Sequence, residues 1–397
     1  MKIHSPILLI EINNSEYIFT VGDENEQGNL KLVYQCSEPL QGFENFRVAD
    51  FDLVFSVIKK NIYIIEQELN FIFKETVLIL NNFNCSFINL SGFKKLNGSQ
   101  LLKENITYIL NTLKSNIDHI EDKKTILHIF NSKYTLDKKK IENLPIGLYG
   151  DFYSHELSFC LINQNVYKNI KKIFNKSNLK IKKILLKSYV EGTLLSDKYG
   201  DIRTFFQIVI NENHSQILYF ENDSLKFEQN FNFGLNLILR DISKVTALKI
   251  DIIKKIIEQI KFSSGMSKEE LIEKELFENR NYIKIKKKLI FEIAEARIQE
   301  FLELFLFKNI NFESYNKKNK VIFLKISDTS HLKCFKEAYY SIFFNNNCVV
   351  KFTDKITNED MINSVNRLVH FGWKKEAIPI SGAKKSLIAK FFEILFQ

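Results

Sequence analysis

Cysteine, histidine and glycine are the residue types that would carry metal, thiol or phosphate chemistry in this chain. The five cysteines lie far apart and include no C-x-x-C pair, which argues against a zinc site or a disulfide framework and favours a reducing, cytoplasmic compartment. The histidines are isolated, and their spacing offers no Ser-His-Asp or Cys-His set. Glycine is scarce, at 13 of 397 residues, where average usage is about 7%. We therefore expect no catalytic residue, no metal site and few glycine-rich phosphate loops.

The composition indicates a folded protein with a basic surface. Apolar residues make up 45% of the chain and include 36 Phe, and the length favours two domains or one duplicated unit. The net charge of +9 is spread over short, dispersed lysine runs, with no basic stripe of interleaved aromatics, so we do not expect a nucleic-acid partner. No apolar stretch reaches the roughly 18 residues of a membrane-spanning helix.

The last residues, 384–397, have the pattern of an amphipathic helix about 21 Å long. Pro379 and Gly382 separate this segment from the preceding domain. Two lysines at its start and a wide apolar arc favour a helix that lies in the headgroup plane of an anionic membrane; the alternative is a helix that packs on its own domain. The predicted membrane-binding residues are Lys384, Lys385, Leu387, Ile388, Phe391, Phe392, Ile394, Leu395 and Phe396.

Hydrophobic periodicity predicts the same series of elements twice. Strands are expected at 7–12, 17–21 and 30–34, followed by a helix at 50–73 and a strand at 76–80. Near the middle, strands at 205–210, 216–220 and 225–229 precede helices at 235–245 and 250–260, a strand at 321–326 and a helix at 331–343. The pattern favours a duplicated α/β protein with strands on both sides of a cleft.

Each half is interrupted by an insertion. A helix at 101–113 and strands at 125–130 and 155–162 predict a small α/β subdomain over about 85–165. In the second half, 268–307 is charged and is expected to be mostly helical.

The stretch LHIFNSKYTLDKKKIENLPIGLYG, at 127–150, and three further stretches carry a family resemblance. The others are IAEARIQEFLEL at 293–304, SVNRLVHFGW at 364–373 and the amphipathic C-terminal segment. In this order, they resemble FtsA, the actin-like protein of bacterial cell division, over essentially the whole chain. The residues at the marked positions of the first motif are His128, Tyr134, Asp137, Pro145, Gly147 and Gly150.

The resemblance implies an α/β fold of the actin-like, ribonuclease H-like duplicated type, with an inserted 1C-type subdomain and a C-terminal amphipathic helix. Subdomain 1A is expected at 1–84 plus 166–196, 1C at 85–165, 2A at 197–245 plus 308–373 and 2B at 246–307. A linker is expected at 374–383, followed by the membrane-targeting helix at 384–397.

The family holds ATP phosphates at glycine-rich turns, and the matching turns of this chain have lost nearly all of their glycines. The family pattern (D/E)-I-G-T-(S/A)-K becomes EINNSE at 11–16, and D-I-G-G-G-T-x-D becomes VINENHSQ at 209–216. The family pattern T-G-G becomes ISD at 326–328. Of the family pattern V-G-G, only one glycine remains, at Gly234. The degenerate cofactor positions are Glu11, Asn13, Asn14, Ser15, Asn211, Glu212, Asn213, Gly234, Ser327 and Asp328.

These replacements disfavour nucleotide chemistry. A carboxylate from Glu16 or Glu212 near a triphosphate would be repulsive, by about 4 kcal/mol for unit charges about 4 Å apart at an effective dielectric near 20. Val209 and Gln216 replace the acids that would hold the water shell of a metal ion. ATP and Mg²⁺ are possible cofactors by resemblance, but we expect weak or absent ATP binding and no hydrolysis, that is, a pseudo-ATPase.

The resemblance also implies that subdomain 2B binds the C-terminal tail of FtsZ, a tubulin-like GTPase. Arg297 and Glu300 match the family's I-x-x-x-R-x-x-E pattern, and Lys287 lies where that helix is often basic. Arg297 would contact an acidic residue of the tail. The alternative is an ion pair between Arg297 and Glu300 on a solvated helix.

We therefore predict a cell division adaptor that tethers FtsZ filaments to the cytoplasmic face of the inner membrane at the division site. Its expected partners are the FtsZ tail, anionic lipid, other divisome proteins and further copies of itself in a filament. One alternative is an active actin-like ATPase with atypical phosphate loops. Another is a related actin-like scaffold, such as a pilus assembly protein, which would not bind the FtsZ tail.

Overall fold

The computed structural model describes residues 5–25, 29–260, 267, 269–277, 282–315, 321–354, 356–373 and 375–379. The chain divides into two compact units. Unit 1 comprises 1–203, 220–228 and 356–397, and unit 2 comprises 204–219 and 229–355.

The described strands are, in chain order, β1 (Pro6–Ile12), β2 (Glu16–Glu24), β3 (Leu30–Pro39), β4 (Phe43–Glu44), β5 (Arg47–Val48), β6 (Glu75–Leu80), β7 (Ser86–Lys95), β8 (Lys124–Leu136), β9 (Lys139–Ile141), β10 (Phe152–Asn163), β11 (Lys180–Leu186), β12 (Phe205–Ile210), β13 (Ser215–Glu221), β14 (Ser224–Phe231), β15 (Val321–Ile326), β16 (Val349–Phe352) and β17 (Glu376–Pro379). The described α-helices are α1 (Phe51–Leu69), α2 (Lys103–Ile120), α3 (Gln164–Lys176), α4 (Lys187–Lys198), α5 (Asn236–Thr246), α6 (Ile250–Gln259), α7 (Lys287–Leu302), α8 (Ile310–Tyr315), α9 (Thr329–Asn345) and α10 (Asn358–His370).

Two five-stranded sheets repeat one topology. The first has the order β11-β6-β1-β2-β3, with β1 antiparallel to β2 and parallel to β6, and β6 parallel to β11. Another has the order β14-β13-β12-β15-β16, with β15 parallel to both β12 and β16. In each sheet, three strands that are consecutive in the chain lie side by side. The next two strands of the sheet follow by crossover connections and extend it beyond the first of the three, parallel to that strand. This is the duplicated α/β architecture that the sequence predicts.

The crossover helices follow from apolar spacing and capping. In α1 the buried Val54, Ile58, Ile62 and Ile65 recur every three or four residues and form one face. The Asp50 side chain caps the start of α1 by accepting from the Leu53 N–H at 2.9 Å. The helix ends at Leu69, earlier than the sequence pattern indicates, because Asn70 takes the left-handed conformation at φ 48°.

A third sheet, within unit 1, has the order β17-β8-β10-β7, with β9 on β8, and is covered by α2. Its core includes Ile109, Leu113, Ile129 and Phe159. Its turns are made by the residues of the first motif. Asp137 accepts from the N–H groups of Asp151 and Phe152, each at 2.8 Å, and Gly147 has a φ of 84°, which favours glycine. Asp137 and Gly147 therefore have structural roles in the turns beside this sheet.

Two segments differ from the sequence prediction. The segment 268–307 is mostly helical among its described residues, as predicted, because α7 begins at Lys287 and a π-helical turn continues it over Glu303–Phe307. Its first part differs, since in the part that the structure describes only a short 3-10 turn at Lys274–Phe277 precedes α7. A bridge between Leu271 and Lys286 brings the two ends of this part together, so its charged residues pair across a loop instead of along a helix.

The second difference concerns 356–383. The predicted linker contains a strand, β17, which pairs antiparallel with β8. The helix α10, expected with subdomain 2A, lies in unit 1, where the Asn363 side chain accepts from the Leu30 N–H at 2.7 Å and donates to the Leu30 carbonyl at 3.0 Å. The assignment of α10 to unit 1 depends on contacts between residues more than 300 positions apart in sequence. Hydrophobic periodicity, which is a local property, cannot predict such contacts.

Candidate functional site

In unit 1 the turn between β1 and β2 is closed by its own asparagine. The Asn13 carbonyl oxygen Oδ1 accepts from the backbone N–H groups of Ser15 and Glu16, each at 2.8 Å. The Asn13 N–H donates to the Glu16 carbonyl at 3.1 Å. Asn14 and Ser15 are exposed. The two N–H groups that could cradle an anion at this turn are thus already bound by a neutral side chain.

A half-buried ion pair lies beside this turn. Lys187, the first residue of α4, donates from Nζ to Glu11 Oε1 at 2.7 Å, and Asn81 donates to the same oxygen at 3.0 Å. Burial lowers the pKa of Lys187, but the carboxylates of Glu11, Glu191 and Glu16 outweigh it, so the pKa is raised. Lys187 therefore carries its charge, and it lies against the carboxylate that begins the first degenerate motif.

In unit 2 the turn between β12 and β13 packs against the start of α5. The N–H groups of Leu235 and Asn236 donate to the carbonyls of Asn211 and Glu212, each at 2.9 Å. An added Cβ at Gly234 would lie 2.0 Å from the Asn211 carbonyl oxygen, so only glycine permits this approach. The surviving glycine thus brings the turn onto the helix start and leaves these two N–H groups occupied.

The remaining turn residues are also engaged in local structure. The Asn213 side chain accepts from the Asn236 amide at 2.8 Å, and Glu212 is exposed at the tip of the turn. The Asn211 amide donates to His214 Nε2 at 2.8 Å, and burial lowers the pKa of His214. Asp328 caps α9 by accepting from the N–H groups of Ser330 and His331, at 2.8 and 3.0 Å, while the Ser327 N–H donates to Ile210.

These contacts do not fit the nucleotide and metal that the resemblance implies. Two N–H groups of the turn in unit 1 and two N–H groups at the start of α5 in unit 2 are bound by the chain itself, and the Glu11 carboxylate is paired with Lys187. Within the described residues, no group of three or more His, Cys, Asp or Glu side chains is placed to hold a metal ion.

The residues predicted to bind an acidic tail form ion pairs within unit 2. Arg297 pairs with Asp241 through Nε and with Glu300 at 2.8 Å, and its side chain is 33% exposed. Lys287 is buried and donates to Glu270 at 2.8 Å and Glu273 at 2.5 Å. Burial lowers the pKa of Lys287, but the two glutamates outweigh it and raise it. Arg297 is thus partly exposed, whereas Lys287 joins residues before α7 to that helix.

Sequence reasoning missed a buried charged cluster in unit 1. The Glu376 carboxylate contacts Lys183 Nζ at 2.7 Å and His128 Nδ1 at 3.2 Å, and all three side chains are at least 95% buried. Burial raises the pKa of Glu376, but Lys183 and His128 outweigh it and the pKa is lowered. Burial lowers the pKa of His128, so the histidine is neutral. These residues are far apart in sequence, and only His128 lies in a recognisable motif.

The predicted membrane-binding residues, 384–397, lie outside the described residues. Among the described helices, none combines the length and apolarity needed to cross a bilayer.

Comparisons with known proteins agree with this architecture. No family model matches the chain. The chain is 22% identical over 299 residues to the cell division protein FtsA of Buchnera aphidicola subsp. Schizaphis graminum, covering 74% of this chain and 71% of the relative. It is 22% identical over 405 residues to FtsA of the subspecies Acyrthosiphon pisum, covering 98% and 95%. In structure it is similar to a chain of the PilM-PilN type IV pilus biogenesis complex, with a TM-score of 0.50, 9% identity and 89% coverage of each chain.

The two sheets of identical strand order, each with parallel crossovers, define a protein of actin-like fold. The resemblance to FtsA that the sequence motifs indicate is confirmed, because the chain is similar to proteins named cell division protein FtsA over most of its length.

Proposed function

We propose that this protein is a cell division adaptor that tethers FtsZ filaments to the cytoplasmic face of the membrane at the division site and helps to assemble the divisome. The observation that carries the proposal is the similarity to proteins named cell division protein FtsA over almost the entire chain. The actin-like fold supports self-association into filaments, through which several weak membrane and FtsZ contacts would act together.

The position of β17 supports a short connection to the membrane. This strand ends at Pro379, and only residues 380–383 separate it from the amphipathic segment. Four residues span at most about 14 Å when fully extended. A helix formed by 384–397 on anionic lipid would therefore hold unit 1 close to the headgroups, and β17 is fixed to that unit by Glu376.

Cosedimentation with vesicles of phosphatidylglycerol and phosphatidylethanolamine tests the membrane contact. The intact chain should pellet with the vesicles, and a chain lacking 384–397 should stay in the supernatant. Phe392→Glu, on the apolar arc, should reduce binding at least tenfold, because a charge would enter the apolar layer. Ser386→Glu adds the same charge on the polar arc and should have little effect. Equal binding of the intact and truncated chains would remove the membrane role from 384–397.

Of the two cationic residues predicted to bind the FtsZ tail, Arg297 is the more exposed, so we expect it to make the contact. Its side chain is partly exposed, and its guanidinium would exchange the Glu300 or Asp241 carboxylate for one on the tail. Binding of a fluorescent peptide with the FtsZ C-terminal sequence should weaken about tenfold in Arg297→Glu. Arg240→Glu makes the same charge change at an exposed residue of α5 and serves as the control. An unchanged affinity in Arg297→Glu would exclude this residue from the tail site.

The proposal includes little or no ATP turnover. The supporting observations are the Asn13 contacts in unit 1 and the occupied N–H groups of Leu235 and Asn236 in unit 2. Phosphate release from ATP-Mg²⁺ should equal the buffer background, and labelled ATP should bind more weakly than the micromolar range. Turnover above background would instead favour the alternative of an ATPase with atypical phosphate loops.

A second candidate function is an actin-like scaffold of a pilus apparatus, favoured by the structural likeness to the PilM-PilN complex. The two candidates differ in their partner. Binding of the FtsZ tail peptide by the intact chain favours the division adaptor, and no binding at high micromolar peptide favours the pilus scaffold.

A further inference from the structure

The turn between β1 and β2 in unit 1 lies beside the ion pair of Glu11 and Lys187, and in both places a side chain of the protein fills a position that a ligand could take. Asn13 Oδ1 lies 2.8 Å from the N–H groups of both Ser15 and Glu16, where a hairpin cradle would hold an anionic oxygen. The Ser15 hydroxyl donates to the same oxygen at 3.1 Å. One amide oxygen therefore satisfies three donors of the turn, and an incoming phosphate would have to displace it.

The ion pair beside this turn places a positive charge, the Lys187 ammonium, against a buried carboxylate. Glu11 is buried at the end of β1, where an unpaired carboxylate would be costly, and Lys187 Nζ lies 2.7 Å from it. The Asn81 amide completes the shell of the same Glu11 oxygen. Glu191, one helical turn after Lys187, is also buried, and its charge acts on the lysine together with that of Glu16. The Lys187 ammonium thus supplies the positive charge that balances the buried Glu11 carboxylate.

We propose that Asn13 and Lys187 are built-in substitutes for ligands, with the Asn13 amide oxygen in place of a phosphate oxygen and the Lys187 ammonium in place of a divalent cation. The phosphate-side turn of unit 1 then keeps its form with no nucleotide or metal bound. This inference deepens the proposed lack of ATP turnover and is independent of the proposed membrane and FtsZ contacts.

Thermal unfolding of the full chain with and without 5 mM MgCl₂, ATP-Mg²⁺ or inorganic phosphate tests the proposal. The midpoint of the unmodified protein should move by less than about 1 °C with any of these additions. In Lys187→Met the midpoint should fall, and MgCl₂ should raise it by about 3 °C, because the unpaired Glu11 then accepts a hydrated metal ion. In Asn13→Ala, inorganic phosphate should produce a comparable rise, because the Ser15 and Glu16 N–H groups are free.

Matched variants separate these effects from general destabilisation. Lys176→Met removes an exposed ion pair with Asp52 and should not create a response to Mg²⁺. Asn163→Ala removes a side chain that also accepts from two backbone N–H groups, at the start of α3, and should not create the same response to phosphate. Lys187→Met/Glu11→Gln removes both charges, and it should recover stability and lose the response to Mg²⁺.

Several outcomes would overturn the proposal. Stabilisation of the unmodified protein by several degrees with ATP-Mg²⁺ would show that the turn accepts a nucleotide. The same response to Mg²⁺ in Lys187→Met and in Lys176→Met would show that Lys187 does not occupy a cation position. If Lys187→Met does not fold in metal-free buffer, refolding by MgCl₂ in circular dichroism is expected, and its failure counts against the proposal. Vesicle and tail-peptide binding, measured separately, report on the proposed function alone.

Discussion

Lys183 Nζ donates to Glu376 Oε2 at 2.7 Å, although 193 residues separate the two in sequence. The lysine also donates to the Leu368 carbonyl at the end of α10, at 3.0 Å, and the other carboxylate oxygen of Glu376 contacts His128. The contact thus joins β11, α10, β8 and β17 inside unit 1. It fixes the strand from which the C-terminal segment leaves.

Removing one partner of this pair should strongly destabilise unit 1. Glu376→Gln leaves the Lys183 ammonium buried without its counter-charge, and we expect a loss of about 3 kcal/mol or more in the free energy of unfolding. Equilibrium urea unfolding at pH 7.5 measures it. Lys176→Met, which breaks an exposed pair with Asp52, should change stability by less than about 0.5 kcal/mol. Equal effects of the two variants would show that burial adds nothing to the Glu376 contact.

Buried neutral histidines should make the fold sensitive to mild acid. Burial, with a smaller effect of Lys375, lowers the pKa of His155 to about 3, and burial lowers the pKa of His331 to about 4. Below about pH 6.5 these histidines become protonated in the unfolded chain, whereas in the folded chain they stay neutral. The stability is therefore complete above pH 6.5 and is lost progressively as the pH falls toward the folded pKa values.

At pH 5.5 each of these histidines should reduce the free energy of unfolding by about 1.4 kcal/mol relative to pH 7.5. Urea unfolding at the two pH values gives the total, and the same pair of measurements on His331→Gln isolates one residue. That variant should be less stable at pH 7.5, because Tyr339 loses its contact with His331 Nε2, but less sensitive to pH. An unchanged difference between the two pH values would mean that His331 is protonated in the folded state.

Gly192 lies inside α4, where a helix would ordinarily gain up to about 1 kcal/mol from alanine. Here an added Cβ would lie 1.9 Å from Cζ of the buried Phe220 ring. Because the overlap outweighs helix propensity, we expect Gly192→Ala to destabilise the protein by about 1–3 kcal/mol. Urea unfolding measures the change.

A compensating substitution supplies the control for Gly192. Phe220→Leu opens space opposite the glycine, so Gly192→Ala/Phe220→Leu should be more stable than the sum of the two single changes predicts. Strict additivity in the double-mutant cycle would indicate that the Gly192 effect does not come from the Phe220 ring.

Local patterns predicted the elements of this fold well. The strands at 205–210 and 321–326 have the predicted bounds, because their continuous apolar runs are buried in a sheet and end at polar turns. The helix boundary at Leu69 was overestimated, since a left-handed Asn70 ends the helix while apolar residues continue beyond it. The prediction that 268–307 is mostly helical holds for its residues from Lys287 to Phe307, but among the described residues before α7 only Lys274–Phe277 forms a short 3-10 turn. In this first part Glu270 pairs with Lys287 across the chain instead of along a helix.

The candidate site could be located from the sequence, but its contacts could not. The sequence shows that both turns lack glycine and contain asparagine instead. That Asn13 binds the N–H groups of its own turn depends on the side-chain rotamer. The pairing of Glu11 with Lys187 spans 176 residues and depends on the packing of α4 against the first sheet. A lysine at a helix start, with an acid one turn later, was the only local signal.

Recruitment of FtsZ to vesicles tests the account most directly. FtsZ filaments assembled with GTP are mixed with anionic vesicles and the intact chain, and the lipid fraction is assayed for FtsZ with and without ATP. We predict that FtsZ appears in the lipid fraction to the same extent in both conditions, and that it is lost when 384–397 are removed. FtsZ that stays in solution, or that reaches the lipid only when ATP is present, would contradict an adaptor that acts without nucleotide.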